Sequence, residues 1–183
     1  MLFKRLSLAV LVAAASHAAL ASPATSTIQF EGAVKGTTCT VSVGGVDAST
    51  PSTVILSDLD PDDISEGAYW WRQGANFSID LMGCSGSATL VRASFQGANG
   101  TTVTDGRLNN MATDSPASNI QLWLRVAYPH SRDIEVGGDQ STLPYASIWA
   151  GMAWLGYEVR YTGESAPSAG NIEAAVEYTV AYQ

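Results

Sequence analysis

Cys39 and Cys84 are the only cysteines in the chain, and their pairing is the first chemistry that the sequence offers. Residues 1–21 have the pattern of an export signal, and two cysteines in an exported protein form a disulfide by default. A loop of this length stabilises a fold by about 4 kcal/mol in the chain-entropy account. Metal binding or redox catalysis needs a C-x-x-C pair or clustered histidines, and His130 is the only histidine after residue 21. We therefore predict one structural disulfide between Cys39 and Cys84.

An acidic cluster offers a second candidate site, for calcium. Its members are Asp58, Asp60, Asp62 and Asp63. Pro61 interrupts the cluster, the glycine of a calcium loop is missing, and the twelfth position holds Tyr69 where such a loop needs glutamate. The cluster is better interpreted as a solvated acidic loop. We predict neither a metal nor any other cofactor.

Catalytic motifs are not found elsewhere in the sequence. There is no G-x-S-x-G, and His130 follows Pro129 in a predicted turn. No histidine or cysteine constellation supplies a nucleophile together with its base. The sequence therefore predicts a protein that is not an enzyme.

The tryptophans raise the alternative of sugar binding, because exposed indole rings can stack on a saccharide. There are five of them: Trp70, Trp71, Trp123, Trp149 and Trp154. The interpretation as buried or subunit-interface aromatics is favoured. A secreted, monomeric carbohydrate-binding β-sandwich that uses surface tryptophans remains the alternative function.

Residues 1–21 have the pattern of a signal peptide. Lys4 and Arg5 precede an apolar run, and small residues at Ala19 and Ala21 form a signal peptidase site, so the mature chain is expected to begin near Ser22. The apolar run is too short to span a bilayer, and no later segment approaches the required length. With seven basic and 17 acidic residues left, the mature chain has a net charge of about −10. This charge argues against nucleic acid and anionic membranes as partners.

The remaining chain consists of short runs in which apolar and polar residues alternate. A period of two is typical of a strand with one buried face. Turn signals such as Asn99-Gly100 and Asp105-Gly106 separate the runs. Seven or more strands spaced in this way favour an all-β sandwich. Four of the runs are Phe77 to Leu81, Val91 to Phe95, Ile120 to Tyr128 and Leu155 to Tyr161.

Both ends of the mature chain carry a further amphipathic strand pattern. At the N-terminal end the apolar side and its glycine are Ile28, Phe30, Gly32 and Val34. At the C-terminal end the pattern follows a glycine and runs almost to the last residue: Gly170, Ile172, Ala174, Val176, Tyr178, Val180 and Tyr182, before Gln183. Both runs fit ordinary sandwich strands, and they equally fit a terminus that serves a neighbouring molecule.

Several short motifs follow one another along the chain. Each is weak alone, but their order and spacing together are specific. They are Ile28-x-Phe30-x-Gly32-x-Val34 before Thr38-Cys39, Phe77-x-Ile79-x-Leu81 before Cys84, Phe95-x-Gly97, Leu108-Asn109, Ala117 before Ile120-x-Leu122-x-Leu124, and Gly170 with penultimate Tyr182. In these features the mature chain resembles the structural subunits of chaperone/usher pili, the fimbrial pilin family of Gram-negative bacteria.

This resemblance implies an incomplete immunoglobulin-like β-sandwich that lacks its final strand. Residues 36–183 would form the pilin domain and residues 22–35 an N-terminal donor-strand extension. The donor positions would be Ile28, Phe30, Gly32 and Val34. The groove edge, which a chaperone also contacts, would be Gly170, Ile172, Ala174, Val176, Tyr178, Val180, Tyr182 and the carboxylate of Gln183.

The resemblance also implies the partners and the location of the protein. A periplasmic chaperone would first supply the missing strand, and the extension of the next subunit would then replace it at an outer-membrane usher. The product would be a homopolymeric or heteropolymeric adhesive fimbria on the cell surface, reached through the periplasm. The region from Asp58 to Arg72 has no counterpart in this scheme.

Overall fold

A computed structural model describes residues 37–64, 70–128 and 130–183. The predicted signal peptide and the predicted donor positions Ile28, Phe30, Gly32 and Val34 lie outside the described residues. The strands are β1 Thr37–Val43, β2 Val46–Asp47, β3 Trp70–Gly86, β4 Leu90–Gly97, β5 Val103–Thr104, β6 Arg107–Asn109, β7 Gln121–Tyr128, β8 Arg132–Asp133, β9 Ala146–Ser147, β10 Ala153–Gly163 and β11 Val176–Tyr182. A single 3₁₀ turn, Pro61–Asp63, is the only helical element in this part of the chain.

The described residues form two antiparallel sheets. The larger has the strand order β2-β1-β3-β10-β7-β6-β5, with β8 paired to β7. The smaller has the order β11-β4-β9. All four alternating runs of the sequence appear as strands, in β3, β4, β7 and β10. Their apolar positions form the core between the sheets because each strand turns every second side chain inward.

The core brings the apolar faces of the two sheets into contact. Ile79 and Leu81 of β3 are fully buried, as is Val91 of β4. The Phe95 ring of the small sheet meets the Tyr157 ring of the large sheet edge-on, with centroids 5.0 Å apart. Each large apolar side chain that is fully buried contributes about 1.5–3 kcal/mol to folding.

The central strand β10 is buried on both faces, which its alternation does not predict. On the outer face, Glu158 holds Arg160 through two contacts of 2.8 Å, one to Nε and one to a terminal guanidinium nitrogen. The guanidinium also lies 3.9 Å from the centroid of the Trp71 ring. Both charges are therefore paired where solvent is largely excluded. The Trp154 ring covers Gly156, and a Cβ there would lie only 2.7 Å from it.

The Cys39–Cys84 disulfide predicted from the sequence joins β1 to β3. The register of these two strands shifts between Thr38 and Thr40, so the first cysteine lies in an irregularity of the ladder. The bond therefore links the neighbouring strands β1 and β3 of the large sheet at the point where the register of their pairing shifts.

Candidate functional site

Strand β11 forms one edge of the small sheet. Its seven residues pair in antiparallel register with β4, from Val176 opposite Gly97 to Tyr182 opposite Val91. No described residue pairs with its other side. An edge of this kind presents backbone N–H and C=O groups that a further strand can bind.

The hydrogen-bond pattern shows which residues face that open edge. Gln183 and Leu90 exchange two backbone bonds of 2.9 Å, and the Ala98 N–H donates to the Ala175 oxygen at 3.1 Å. In an antiparallel ladder the bonded pairs recur at every second residue. The odd-numbered residues of β11 therefore bond to β4, and the backbone groups of the even-numbered residues point to the open edge. These are Val176, Tyr178, Val180 and Tyr182.

The same four residues turn their side chains toward the core, yet they are only half-buried. Beneath them lies a group of aromatic rings. The Tyr178 ring lies 6.5 Å from the Phe95 ring, and Phe77, also half-buried, stacks on Tyr157 at 5.2 Å between centroids. An incompletely covered apolar face thus coincides with an unpaired strand edge. We call this combination the β11 groove edge.

Two tyrosines of the groove edge are more weakly acidic than usual. Burial raises the pKa of Tyr178, and the negative charge of Asp47 on β2 raises it further. Burial also raises the pKa of Tyr182. The Asp47 carboxylate itself has a lowered pKa, since it accepts hydrogen bonds from Ser49. Both tyrosines therefore remain neutral and serve as apolar lining at physiological pH.

The regular strand begins at Val176, later than the alternation after Gly170 indicates. Ile172 and Ala174 keep the predicted inward orientation and are half-buried, while Asn171 and Glu173 are exposed. Gly170 itself is exposed and adopts φ +152°. A Cβ on Gly170 would lie 2.5 Å from both the Ser115 oxygen and the Ala117 nitrogen. Only glycine allows this close approach.

Between Gly170 and Val176 side chains add to the backbone hydrogen bonds, which here reach residues 98, 111, 115 and 117 in place of a regular ladder. The Glu173 N–H donates to the Asn110 side-chain oxygen at 3.0 Å, and the Ala175 N–H donates to the Thr101 hydroxyl at 2.8 Å. The Asn110 amide in turn donates to the Asn171 oxygen at 2.8 Å. Sequence reasoning did not identify Thr101 or Asn110, because nothing in their local pattern distinguishes them from other loop residues.

The end of the chain is bound into the small sheet. The Gln183 backbone oxygen accepts from the N–H groups of Thr89 and Leu90, at 2.8 and 2.9 Å. The C-terminal part of the groove edge is therefore fixed on the β4 side and open on the other.

The acidic cluster and the tryptophans are the other candidate sites from the sequence. Asp60 caps the 3₁₀ turn by accepting from the Asp62 N–H at 3.0 Å. Within the described ranges no group of three or more metal-binding side chains occurs, and no helix there could span a membrane. Trp70 is buried and donates to the Ser165 oxygen at 2.9 Å. Trp71, Trp149 and Trp154 are exposed, but only the latter two border the same hollow.

The fold is that of an incomplete immunoglobulin-like sandwich of the pilus-subunit class. The structure is similar to the crystal structure of the P pilus rod subunit PapA, with a TM-score of 0.56 and 15% sequence identity, over 79% of this chain and 99% of that one. No established family profile matches the sequence.

Two relatives identify the family. The chain is 32% identical over 179 residues to the major fimbrial subunit SMF-1 of Stenotrophomonas maltophilia, covering 88% of this chain and 95% of the relative. It is 30% identical over 182 residues to the F17 fimbrial protein of Escherichia coli, covering 96% of each. The chain belongs to the family of fimbrial subunits of chaperone/usher pili.

Proposed function

We propose that this fimbrial structural subunit polymerises by strand donation. Residues 28–34 of one copy would pair with the β11 groove edge of the next and complete its small sheet. The observation that supports this most directly is that Val176, Tyr178, Val180 and Tyr182 present open backbone groups and half-covered apolar side chains together. A further strand paired with β11 would bond to the open backbone groups and would cover the apolar side chains.

The donor sequence fits these needs. Ile28, Phe30 and Val34 are separated by even numbers of residues, so in an extended strand all three would share one side and could enter the core of the neighbour. Each large side chain that becomes fully buried contributes about 1.5–3 kcal/mol, in addition to the backbone hydrogen bonds. Gly32 allows the two backbones to approach closely in the middle of the joint. The strand that is absent from the sandwich is thus supplied from another molecule.

A donor at one end and an acceptor edge elsewhere form a contact between unlike surfaces. Such a contact does not close on itself and generates a filament. In this scheme residues 22–35 are the donor extension and residues 36–183 the pilin domain. The product is a fimbria at the cell surface, exported with the help of the signal peptide 1–21. The role is structural, with no chemical reaction involved.

Before assembly the open edge needs a temporary partner, because an unpaired edge beside an apolar face favours aggregation. A periplasmic chaperone would provide a strand along the same edge. Its contacts would extend from Gly170, Ile172 and Ala174 through the four groove-edge residues, and its basic residues would hold the Gln183 carboxylate. An outer-membrane usher would then exchange the chaperone strand for the extension of another subunit.

Deleting residues 22–35 tests the donor assignment. We expect the truncated chain to fold with the chaperone and to form no filaments in vitro, as judged by electron microscopy and by SDS-resistant ladders. A matched pair in the full chain refines the test: Phe30→Ser should slow assembly strongly, whereas Gln29→Ser, on the opposite side of the strand, should not. Filaments from the truncated chain would show that residues 22–35 are not the donor.

A further inference from the structure

Large apolar side chains are exposed mainly at one end of the sandwich. Of the eight such side chains among the described residues, five border a single region, which we call the strand-end patch. They are Met82, Tyr128, Trp149, Met152 and Trp154. Trp149 is 79% exposed, and Trp154 contacts the Tyr128 ring with centroids 5.3 Å apart. Exposed apolar side chains that are scattered singly are ordinary, whereas a contiguous group of them marks an interaction site.

The shape and composition of the patch are those of a protein interface. Its residues line an open hollow of about 660 Å³ together with Tyr145 and His130. Tryptophan, tyrosine and methionine are enriched in interface centres, where tryptophan and tyrosine contribute much of the binding energy. None of the five residues carries a charge, and Asp80 is the one acidic residue that lines the hollow. A surface this poor in charge matters for self-association, because the mature chain has a net charge of about −10.

The patch adjoins the beginning of the first described strand, β1. The first described residue, Thr37, pairs with Gly86 at the end of β3. Two residues before Gly86, the Cys84 N–H donates to the Gly151 oxygen at 2.9 Å. Gly151 lies in the tight turn between Trp149 and Met152, which form an isolated bridge. The exposed Trp149 turn is therefore next to the first strand pair of the domain.

The length of the connection limits where the neighbour can be. Only Lys35 and Gly36 separate the last proposed donor residue, Val34, from Thr37. Even fully extended, the three steps from Val34 to Thr37 span at most about 11 Å. If Val34 lies in the groove of a second copy, the body of that copy must approach the end of the sandwich that carries Thr37. The strand-end patch is the apolar surface available there.

We propose that the strand-end patch packs against the body of the neighbouring copy whose groove receives this chain's donor strand. The inference rests on the proposed strand donation and adds a second contact between consecutive subunits. The joint then consists of an inserted strand, which gives it strength, and an apolar body contact, which limits bending between the two domains.

Photocrosslinking within filaments tests this contact. A benzoylphenylalanine residue in place of Trp149 should form a covalent dimer with the adjacent subunit on irradiation of filaments, and none in the complex with the chaperone. Ile55 is the matched control position, because it is 81% exposed and lies outside the patch. The same residue in place of Ile55 should give at least about tenfold less dimer. Filaments that form normally yet give no dimer from position 149 would overturn the proposal.

Trp149→Ser separates the patch from the donor strand. We expect this variant to form SDS-resistant dimers, since its donor strand is intact, but to assemble filaments at least about tenfold more slowly than Ile55→Ser. Equal assembly rates for the two variants would overturn the body contact while leaving strand donation in place. Quenching of Trp149 fluorescence by soluble saccharides, with normal assembly of Trp149→Ser, would overturn it in favour of a sugar site. Strand donation is tested separately with the chain that lacks residues 22–35, because filaments formed by that chain would contradict the donor assignment.

Discussion

At the scale of single residues, Gly170 illustrates how one position can be required for two different reasons. The periodicity marks it as the start of an amphipathic run, and the structure shows that the backbone of residues 115–117 leaves no room there for a Cβ. Its φ of +152° belongs to a region that only glycine adopts freely. Gly170 therefore fixes the direction in which the chain enters the groove edge.

Replacing Gly170 by alanine should lower the free energy of unfolding by about 3 kcal/mol or more. The added Cβ would meet two backbone atoms at 2.5 Å, and neither atom can move without shifting the 115–117 loop. Gly100→Ala is the control, because Gly100 also has a positive φ, +88°, but has no atom within 4 Å of the added Cβ. Its cost should be about 1 kcal/mol, from backbone strain alone. Denaturant titration of the purified variants would measure both, and equal losses would contradict the close-contact explanation.

At the scale of elements, the alternating pattern predicts strands well and their ends poorly. The runs around Ile79, Ala93, Leu124 and Val159 form strands whose inward residues are those expected from a period of two. The pattern could not locate the start of β11, since the residues before Val176 bond to side chains far away in sequence.

No residue pattern in the sequence marks the unpaired side of β11. The open edge could therefore be expected only through the resemblance to pilins. The sequence pattern predicts which side of β11 turns inward, and this is confirmed within the strand, where Val176, Tyr178, Val180 and Tyr182 are half-buried and the residues between them are exposed. It does not predict that this side is only half-covered. The exposed end with Trp149 was also not predictable, because a tight turn with Ala150 and Gly151 at positive φ is needed to hold that tryptophan outside the core.

Strand β11 offers a matched pair of substitutions that separates the groove from the rest of the sheet. Val180→Ser places a hydroxyl on the half-buried groove side, whereas Ala181→Ser places one on the exposed opposite side. The first should reduce chaperone co-purification and periplasmic yield severalfold, because burying valine beneath a partner strand contributes about 1.5–3 kcal/mol. The second should leave both near the unmodified level. Equal yields in quantitative immunoblots would argue against β11 as the captured strand.

At the scale of the whole molecule, the packing of tyrosines makes stability depend on pH in the alkaline range. Burial raises the pKa values of Tyr157 and Tyr161 in the core and those of the half-buried Tyr178 and Tyr182. For Tyr161 and Tyr178 the nearby charges of Asp58 and Asp47 add to this effect. In the unfolded chain these phenols have a pKa of about 10. The folded state therefore holds their protons more tightly than the unfolded state does.

The sign of the pH dependence follows from that difference. Below about pH 10 the tyrosines are protonated in both states, so the contribution of their burial to stability is complete. As the pH rises above 10, the unfolded chain releases protons first and is stabilised, and the advantage of the folded state is lost as the pH approaches the raised folded values. We expect the free energy of unfolding, measured by denaturant titration between pH 8 and 12, to fall steadily above pH 10. Tyr157→Phe, which keeps the ring stacked on Phe77, should make that fall shallower while changing stability at pH 8 by only about 1 kcal/mol. An unchanged slope in this variant would mean that the buried phenol does not control the alkaline transition.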